Sequence, residues 1–236
     1  LVVCNSEFTA RTASTLFPGI RAEVIYCPVT MADESSLDAR AARAEVRAEL
    51  ATDERAVVII QVSRMEELKG HGAHLEALAL MKDVPDWTCW MVGGAQRPLE
   101  AAYLESLKSQ AARLGIADRV RFTGERTDVP RLLAAADVFC QPNSSPEAFG
   151  LVFTEAMLAR LPVVTTAIGG ATEIVNDSCG VLVHLKGAHA LADALRSLLG
   201  ESRLRARLGA CGPARVRQLC SPAKQIGRLR EVLVQV

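Results

Sequence analysis

Several features are absent from this sequence, and each absence removes a class of protein. No apolar run reaches the roughly 18 residues of a helical membrane span. The opening LVVCNSEFTART has neither the basic lead nor the apolar stretch of a signal peptide, so a cytoplasmic protein is expected. The seven cysteines (4, 27, 89, 140, 179, 211 and 220) are odd in number and scattered, with no C-x-x-C pair, which disfavours zinc and thiol-redox roles. Cys89 in WTCWMV and Cys140 in VFCQP sit inside apolar runs, where a thiol behaves as a small hydrophobe. MVGGAQRP lacks a G-x-G-x-x-G, and no G-K-[ST] occurs, so neither a dinucleotide fingerprint nor a P-loop is present. The four histidines (71, 74, 184 and 189) have no catalytic spacing with Ser or Cys. His71 and His74 share a helix face without a third ligand, so no metal site is expected. His71 reads as a solvated residue at a helix start, or as an extra donor beside a phosphate loop.

Excess charge is also missing. Lys plus Arg and Asp plus Glu number 27 each, which argues against a dedicated nucleic-acid binder. The balance is uneven, however: between Arg196 and Glu231 nine residues are basic and two acidic. That excess is either a solvated helix face or a surface for another domain or for an anionic membrane, placing the protein at the inner face of the cell membrane.

What is present is a chain of 236 residues, half of them apolar, enough for one large domain or two small ones. Candidate strands are AVVIIQVS (56–63), TCWMVGG (88–94), RVRFTG (119–124), DVFCQP (137–142), PVVTTA (162–167) and GVLVH (180–184). Between them HGAHLEALALMK, LEAAYLESLKSQAARLG, VPRLLAAA, FGLVFTEAMLA and ATEIV read as helices. Strands apolar on both faces and alternating with helices predict an α/β fold: a Rossmann-like parallel sheet with helices on both faces. From about Ala188 onward only helices are expected, a helical C-terminal tail. Residues 1–28 (strand LVVCNS, helix EFTARTASTLF, strand AEVIYCPV) read as the end of a preceding domain plus a connection, and 29–236 as the domain proper. The unit from Ala56 onward would be complete without them. Trp87 and Trp90 alternate around a strand as core. Gly169 and Gly170 read as a tight turn, with Glu173 structural rather than catalytic.

In such a sheet ligands bind beyond the carboxyl ends of the strands, which selects the loops SRMEELKG, GGAQR, TGERTD and NSSPEAFG. SRMEELKG places Arg64 and Lys69 at one strand end, a guanidinium fork and a point charge suited to a diphosphate. The alternative is a charged loop neutralised by Glu66 and Glu67. In the second segment Phe149–Ala159 reads as a helix with Gly150 in its first turn, whose free amides and dipole form an anion site. Glu147 precedes that turn and Glu155 lies one to two turns inside. At about 1.5 Å rise per residue the two acids can straddle a diphosphate. Carboxylates accept paired hydrogen bonds from vicinal diols, which a nucleotide sugar carries at both ends.

These residues resemble a known family. EAFGLVFTE is similar to the Glu–seven residues–Glu motif of family 4 retaining glycosyltransferases of GT-B fold. SRMEELKG, MVGG, RVRFTG, AAADVFCQP, EAMLARLPVVTTAIGGATEIV and CGVLV follow that family's order and spacing over nearly the whole chain, as its donor-binding C-terminal domain. The resemblance implies that Arg64 and Lys69 bind the donor diphosphate and stabilise the leaving group. Glu147 would hold sugar hydroxyls, the backbone of Phe149, Gly150 and Leu151 the sugar and phosphates, Glu155 the ribose diol, and Arg126 the base through its main chain. It implies a UDP- or GDP-sugar donor, retention of anomeric configuration, no metal, and an acceptor held mainly by an N-terminal domain missing here. Arg160 in MLARLPVV stands where the family usually has glycine, Ala148 where it has Pro or Ser, and YCPVT where it has Asn-Gly-Val-Asp. A non-catalytic nucleotide-binding or regulatory module of the same fold is the other reading; the presence of Arg64, Lys69, Glu147 and Glu155 favours the enzyme.

Overall fold

The computed structural model of the chain describes residues 1–30, 39–184 and 187–234; the last two residues of the expected helical tail lie outside them. Residues Val2–Cys4 (β1) and Ala22–Val24 (β2) pair in parallel around the helix Glu7–Leu16 (α1), forming a small sheet of their own. The second expected strand is therefore much shorter than 22–29. Ala39–Glu49 (α2) follows, a helix absent from the sequence-based expectation.

The main sheet has six strands: Val57–Val62 (β3), Trp87–Val92 (β4), Val120–Gly124 (β5), Val138–Gln141 (β6), Val163–Thr166 (β7) and Gly180–Val183 (β8). All five pairings are parallel, in the order β5-β4-β3-β6-β7-β8. His71–Ala79 (α3), Pro98–Arg113 (α4), Val129–Ala135 (α5), Leu151–Leu158 (α6) and Ala171–Ile174 (α7) connect them. Ala188–Gly200 (α8), Ser202–Cys220 (α9) and Pro222–Val234 (α10) complete the chain.

The strand period of two sorts the core. Val58 and Ile60 face one side, packing with Val46 of α2, Leu132 and Leu133 of α5, Phe153 and Met157 of α6 and Val216 of α9. Ile59 faces the other side, among Leu75 and Leu78 of α3, Leu107 of α4 and Leu195 of α8. Every residue of β4 is buried. Trp90 donates its indole N–H to Thr52 Oγ1 at 3.0 Å and Trp87 to the Met81 carbonyl at 3.1 Å, so both rings are core with their polar edge satisfied. Cys89 and Cys140 are fully buried and burial pushes both thiols well up, away from reactivity.

The strand order reverses between β3 and β6. The chain leaves β3 toward β4 and β5, then returns to β6 on β3's other side and continues to β7 and β8. Connections diverge there, leaving a crevice beyond the carboxyl ends of these two strands.

Candidate functional site

Two loops line that crevice. The first, after β3, runs from Ser63 to a 3-10 turn over Glu67–Lys69 and into α3. The second, after β6, runs from Pro142 to the start of α6. They are bonded to one another: Ser144 N–H donates to the Leu68 carbonyl at 3.0 Å and its hydroxyl to the Glu67 carbonyl at 3.1 Å. Gly70 sits between them in the left-handed region at φ 73, where a Cβ would lie 1.8 Å from the Pro142 carbonyl oxygen. Only glycine satisfies both the dihedral and the approach. The loop after β7 presses on the other side. A Cβ at Gly170 would lie 2.4 Å from the Ala148 carbonyl oxygen, and the Gly170 N–H donates to the Glu147 carbonyl at 2.8 Å. Gly169 and Gly170 thus do more than turn the chain; they seat the backbone that carries Glu147.

This scaffold brings Lys69 and Glu147 together. Lys69 Nζ donates to Glu147 Oε2 at 2.6 Å, with both side chains mostly buried, and Asn143 Nδ2 approaches the same oxygen at 3.5 Å. Arg64 pairs with Glu66 at 2.9 Å, with 54% of its side chain exposed. The charged-loop alternative is therefore present in part: Glu66 occupies Arg64, while Lys69 takes its partner from the other loop.

Helix α6 begins at Leu151, two residues later than expected, because Gly150 at φ 96 cannot be helical and caps the helix instead. Phe149 is 3% exposed, its ring 5.9 Å from that of Tyr26. The amides of Leu151 and Val152, in the first turn, have no intrahelical acceptor. Arg64, Lys69, Glu147, Gly150, Leu151 and Val152 all line one cleft of about 390 Å³. Asn5 and Cys27 line it too, so the opening segment contributes wall to a site that the sequence assigns to later residues. Glu155 lies outside that lining, exposed on α6 one turn beyond Leu151. Partial burial raises its carboxyl pKa, and it makes no side-chain hydrogen bond among the described residues.

A smaller cleft of about 150 Å³ continues past Arg64, lined by Ser63, Gly93, Gly94, Gln96, Glu125 and Arg126 among others. The Arg126 guanidinium is occupied: Asp128 accepts from it at 2.8 and 2.9 Å, and Glu49 on α2 also pairs with it.

His71 corrects an expectation. It is fully buried rather than solvated, its Nε2 3.0 Å from Ser63 Oγ. Burial, with the Lys69 charge adding to it, lowers its pKa to about 4, so it is neutral at pH 7. Glu173 is structural, as expected: its carboxylate accepts from the amides of Glu7 and Phe8 at 2.8 Å each and from the Tyr26 hydroxyl at 3.1 Å. Among the described residues no group of three or more His, Cys, Asp or Glu could hold a metal ion, and no helix is long and apolar enough to cross a membrane. At least five of the nine basic residues of the tail bond within the protein: Arg196 to Asp83, Arg205, Arg215 and Lys224 to backbone carbonyls, and Arg228 to Glu23.

Two cations and a helix start facing one acid suit an anionic ligand that also carries hydroxyls. Comparison with known proteins agrees with this chemistry. The family of glycosyl transferases group 1 matches residues 42–215. The chain belongs to that family. A GDP-mannose-dependent alpha-(1-6)-phosphatidylinositol monomannoside mannosyltransferase of Mycobacterium tuberculosis is 31% identical over 90% of this chain and 56% of its own length. A lipopolysaccharide core biosynthesis mannosyltransferase of Rhizobium meliloti is 33% identical over 64% of this chain and 44% of its own. Among solved structures, Anabaena Alr3699/HepE in complex with UDP and glucose superposes with a TM-score of 0.86 at 28% identity, covering 100% of this chain and 63% of that one. The chain thus spans about half the length of the curated relatives it matches. The fold is the expected one, a Rossmann-like α/β domain of GT-B type.

Proposed function

We propose that this chain is the donor-binding half of a retaining, metal-independent glycosyltransferase. It takes a UDP- or GDP-sugar and serves transfer to a saccharide, lipid or small-molecule acceptor. The observation that carries the reading is the Lys69–Glu147 pair at the crevice between β3 and β6. A diphosphate entering between Arg64, Lys69 and the first turn of α6 takes over Lys69 and frees Glu147 to accept hydrogen bonds from the sugar hydroxyls. The base then lies toward the smaller cleft, against the main chain at Arg126, and the ribose toward Glu155. A glycosyl transition state places negative charge on the departing phosphate. Arg64, Lys69 and the helix start stabilise that charge in the role a divalent metal has elsewhere. The names of the relatives and the UDP complex support a nucleotide-sugar donor.

Calorimetric titration with UDP-, GDP- and ADP-sugars tests the reading. Binding of one of them, undiminished in excess chelator, is expected. Strict dependence on added magnesium would move the protein to another transferase class. Transfer by this chain alone is expected to be negligible, because oriented reactants supply about 7–11 kcal/mol of barrier reduction and, on this reading, the acceptor is held mainly by an N-terminal domain.

A further inference from the structure

Lys69 meets Glu147 because its loop is held at one height above the sheet, and one of the groups holding it lies beneath the cleft. Gln61, on β3, is fully buried. Its Nε2 donates to the Lys69 carbonyl at 2.9 Å and approaches Ser63 Oγ at 3.4 Å. Its Oε1 lies 2.8 Å from Nδ1 of His74, itself fully buried on α3.

The direction of these bonds follows from their fixed end. A carbonyl only accepts, so Gln61 must turn its NH₂ to Lys69. That leaves Oε1 toward His74, whose Nδ1 must then carry the proton. The imidazolium is unavailable, since burial, with His71 acting in the same direction, lowers the His74 pKa to about 3. A polar pair in a sheet–helix interface is poorly explained by packing alone. Two apolar side chains of the same size would fill the space without desolvating an amide and an imidazole. The pair's strong contact outside itself is the Lys69 carbonyl. Ser144 bonds the loop on the side of the loop after β6, with Gly70 packed close against the Pro142 carbonyl, and Gln61 bonds it from β3.

We infer that Gln61, oriented by His74, is a positioning residue for the anion site: it fixes the backbone of Lys69 so that Nζ points into the cleft. The inference rests on the reading that Lys69 binds a diphosphate. Gln61→Met keeps the volume and removes the hydrogen bonds. One such bond contributes about 0.5–1.5 kcal/mol, so up to roughly a tenfold loss of affinity for UDP or GDP, whichever the wild type binds, is expected. Affinity for the matching nucleoside should change by less than about twofold on the same scale. In the unliganded chain, amide hydrogen exchange over residues 67–70 should accelerate while β3 and α3 keep their protection. His74→Leu should repeat the effect, and His74→Asn, whose amide N–H can take the place of Nδ1–H, should restore it.

Equal loss of nucleoside and diphosphate, or unchanged exchange at 67–70 in both Gln61→Met and His74→Leu, would overturn the inference. If Gln61→Met does not fold, the His74 pair decides. If the wild type binds neither nucleotide, the diphosphate reading fails, while the exchange measurement still decides whether Gln61 sets the loop.

Discussion

Two charged clusters lie at opposite ends of the central strands β3 and β6, and they differ in how much of their bonding capacity the protein itself uses. At the amino end Asp137 accepts from Arg43 and Arg47 at 2.7 Å each and from the Val58 amide at 2.8 Å. Arg47 is 2% exposed and also donates to the carbonyls of Asp53, Glu54, Ala56 and Ala135. Burial works against its charge, and Asp137 counters that. At the carboxyl end the Lys69 ammonium has, among the described residues, one acceptor, Glu147, which has capacity to spare, and Arg64 stands half in water. The side-chain chemistry is alike at both ends. Saturation fixes the fold at one end, while the other keeps hydrogen-bonding capacity that the proposed donor site would use.

The contrast breaks most visibly at Arg47. Removing one partner of a buried ion pair typically costs about 3–5 kcal/mol. Arg43 remains on Asp137, so Arg47→Met is expected at the low end of that range in urea denaturation. Donor affinity of the folded fraction should be unchanged. A loss of stability below about 1 kcal/mol would place the two clusters on the same footing.

Lys69→Ala should show the inverse. Hydrogen bonds between charged groups contribute about 1.5–3 kcal/mol, so nucleoside diphosphate affinity should fall by tenfold or more in calorimetry. Stability should fall by less than in Arg47→Met, because Glu147 keeps access to water through the cleft whereas Arg47 is sealed in the core. Arg64→Ala should lose less affinity than Lys69→Ala, since half its side chain is already solvated.

Sequence periodicity reached one of these clusters and missed the other. The loops of Arg64, Lys69 and Glu147 follow strands whose apolar runs are unmistakable, so the switch-point rule found them. Helix α2 left no such trace. ARAARAEVRAE has no stripe of large apolar residues, because part of its buried face is Arg47, which bonds Asp137 and the Ala135 carbonyl, both distant in sequence, and three carbonyls just beyond the helix. Arg126 was legible as a position, but its ion pair with Glu49 depends on that unseen helix. His71 looked solvated, and His74 drew no role, for a related reason: their partners, Ser63 and Gln61, lie across a loop, and no spacing rule links them. Arg160 was the opposite case. The resemblance marked it as standing in a glycine position, and its φ of 58 shows why glycine is usual there.

A test that joins loop geometry to binding is Gly70→Ala. The left-handed φ alone is worth about 1–2 kcal/mol against a side chain, and the Pro142 carbonyl forbids the Cβ unless the loops separate. Stability and diphosphate affinity should therefore fall together. Intact affinity would show that Lys69 reaches its ligand without the contact between the two loops.

The smallest effect is expected at Glu155, where it has two signs. Partial burial raises its folded carboxyl pKa above the unfolded value, and no partner offsets this. As pH rises through that interval the unfolded chain releases its proton first, so folding loses stability and keeps the deficit at neutral pH. Glu155→Gln abolishes the titration. The variant should match the wild type near pH 3 and exceed it at pH 7, by less than about 1 kcal/mol because the side chain still reaches water. The same change should weaken nucleotide binding if the carboxylate accepts from the ribose diol. A gain in stability accompanied by a loss of affinity would mark Glu155 as a site residue held vacant at the fold's expense; a gain with affinity unchanged would return it to the solvated face of α6.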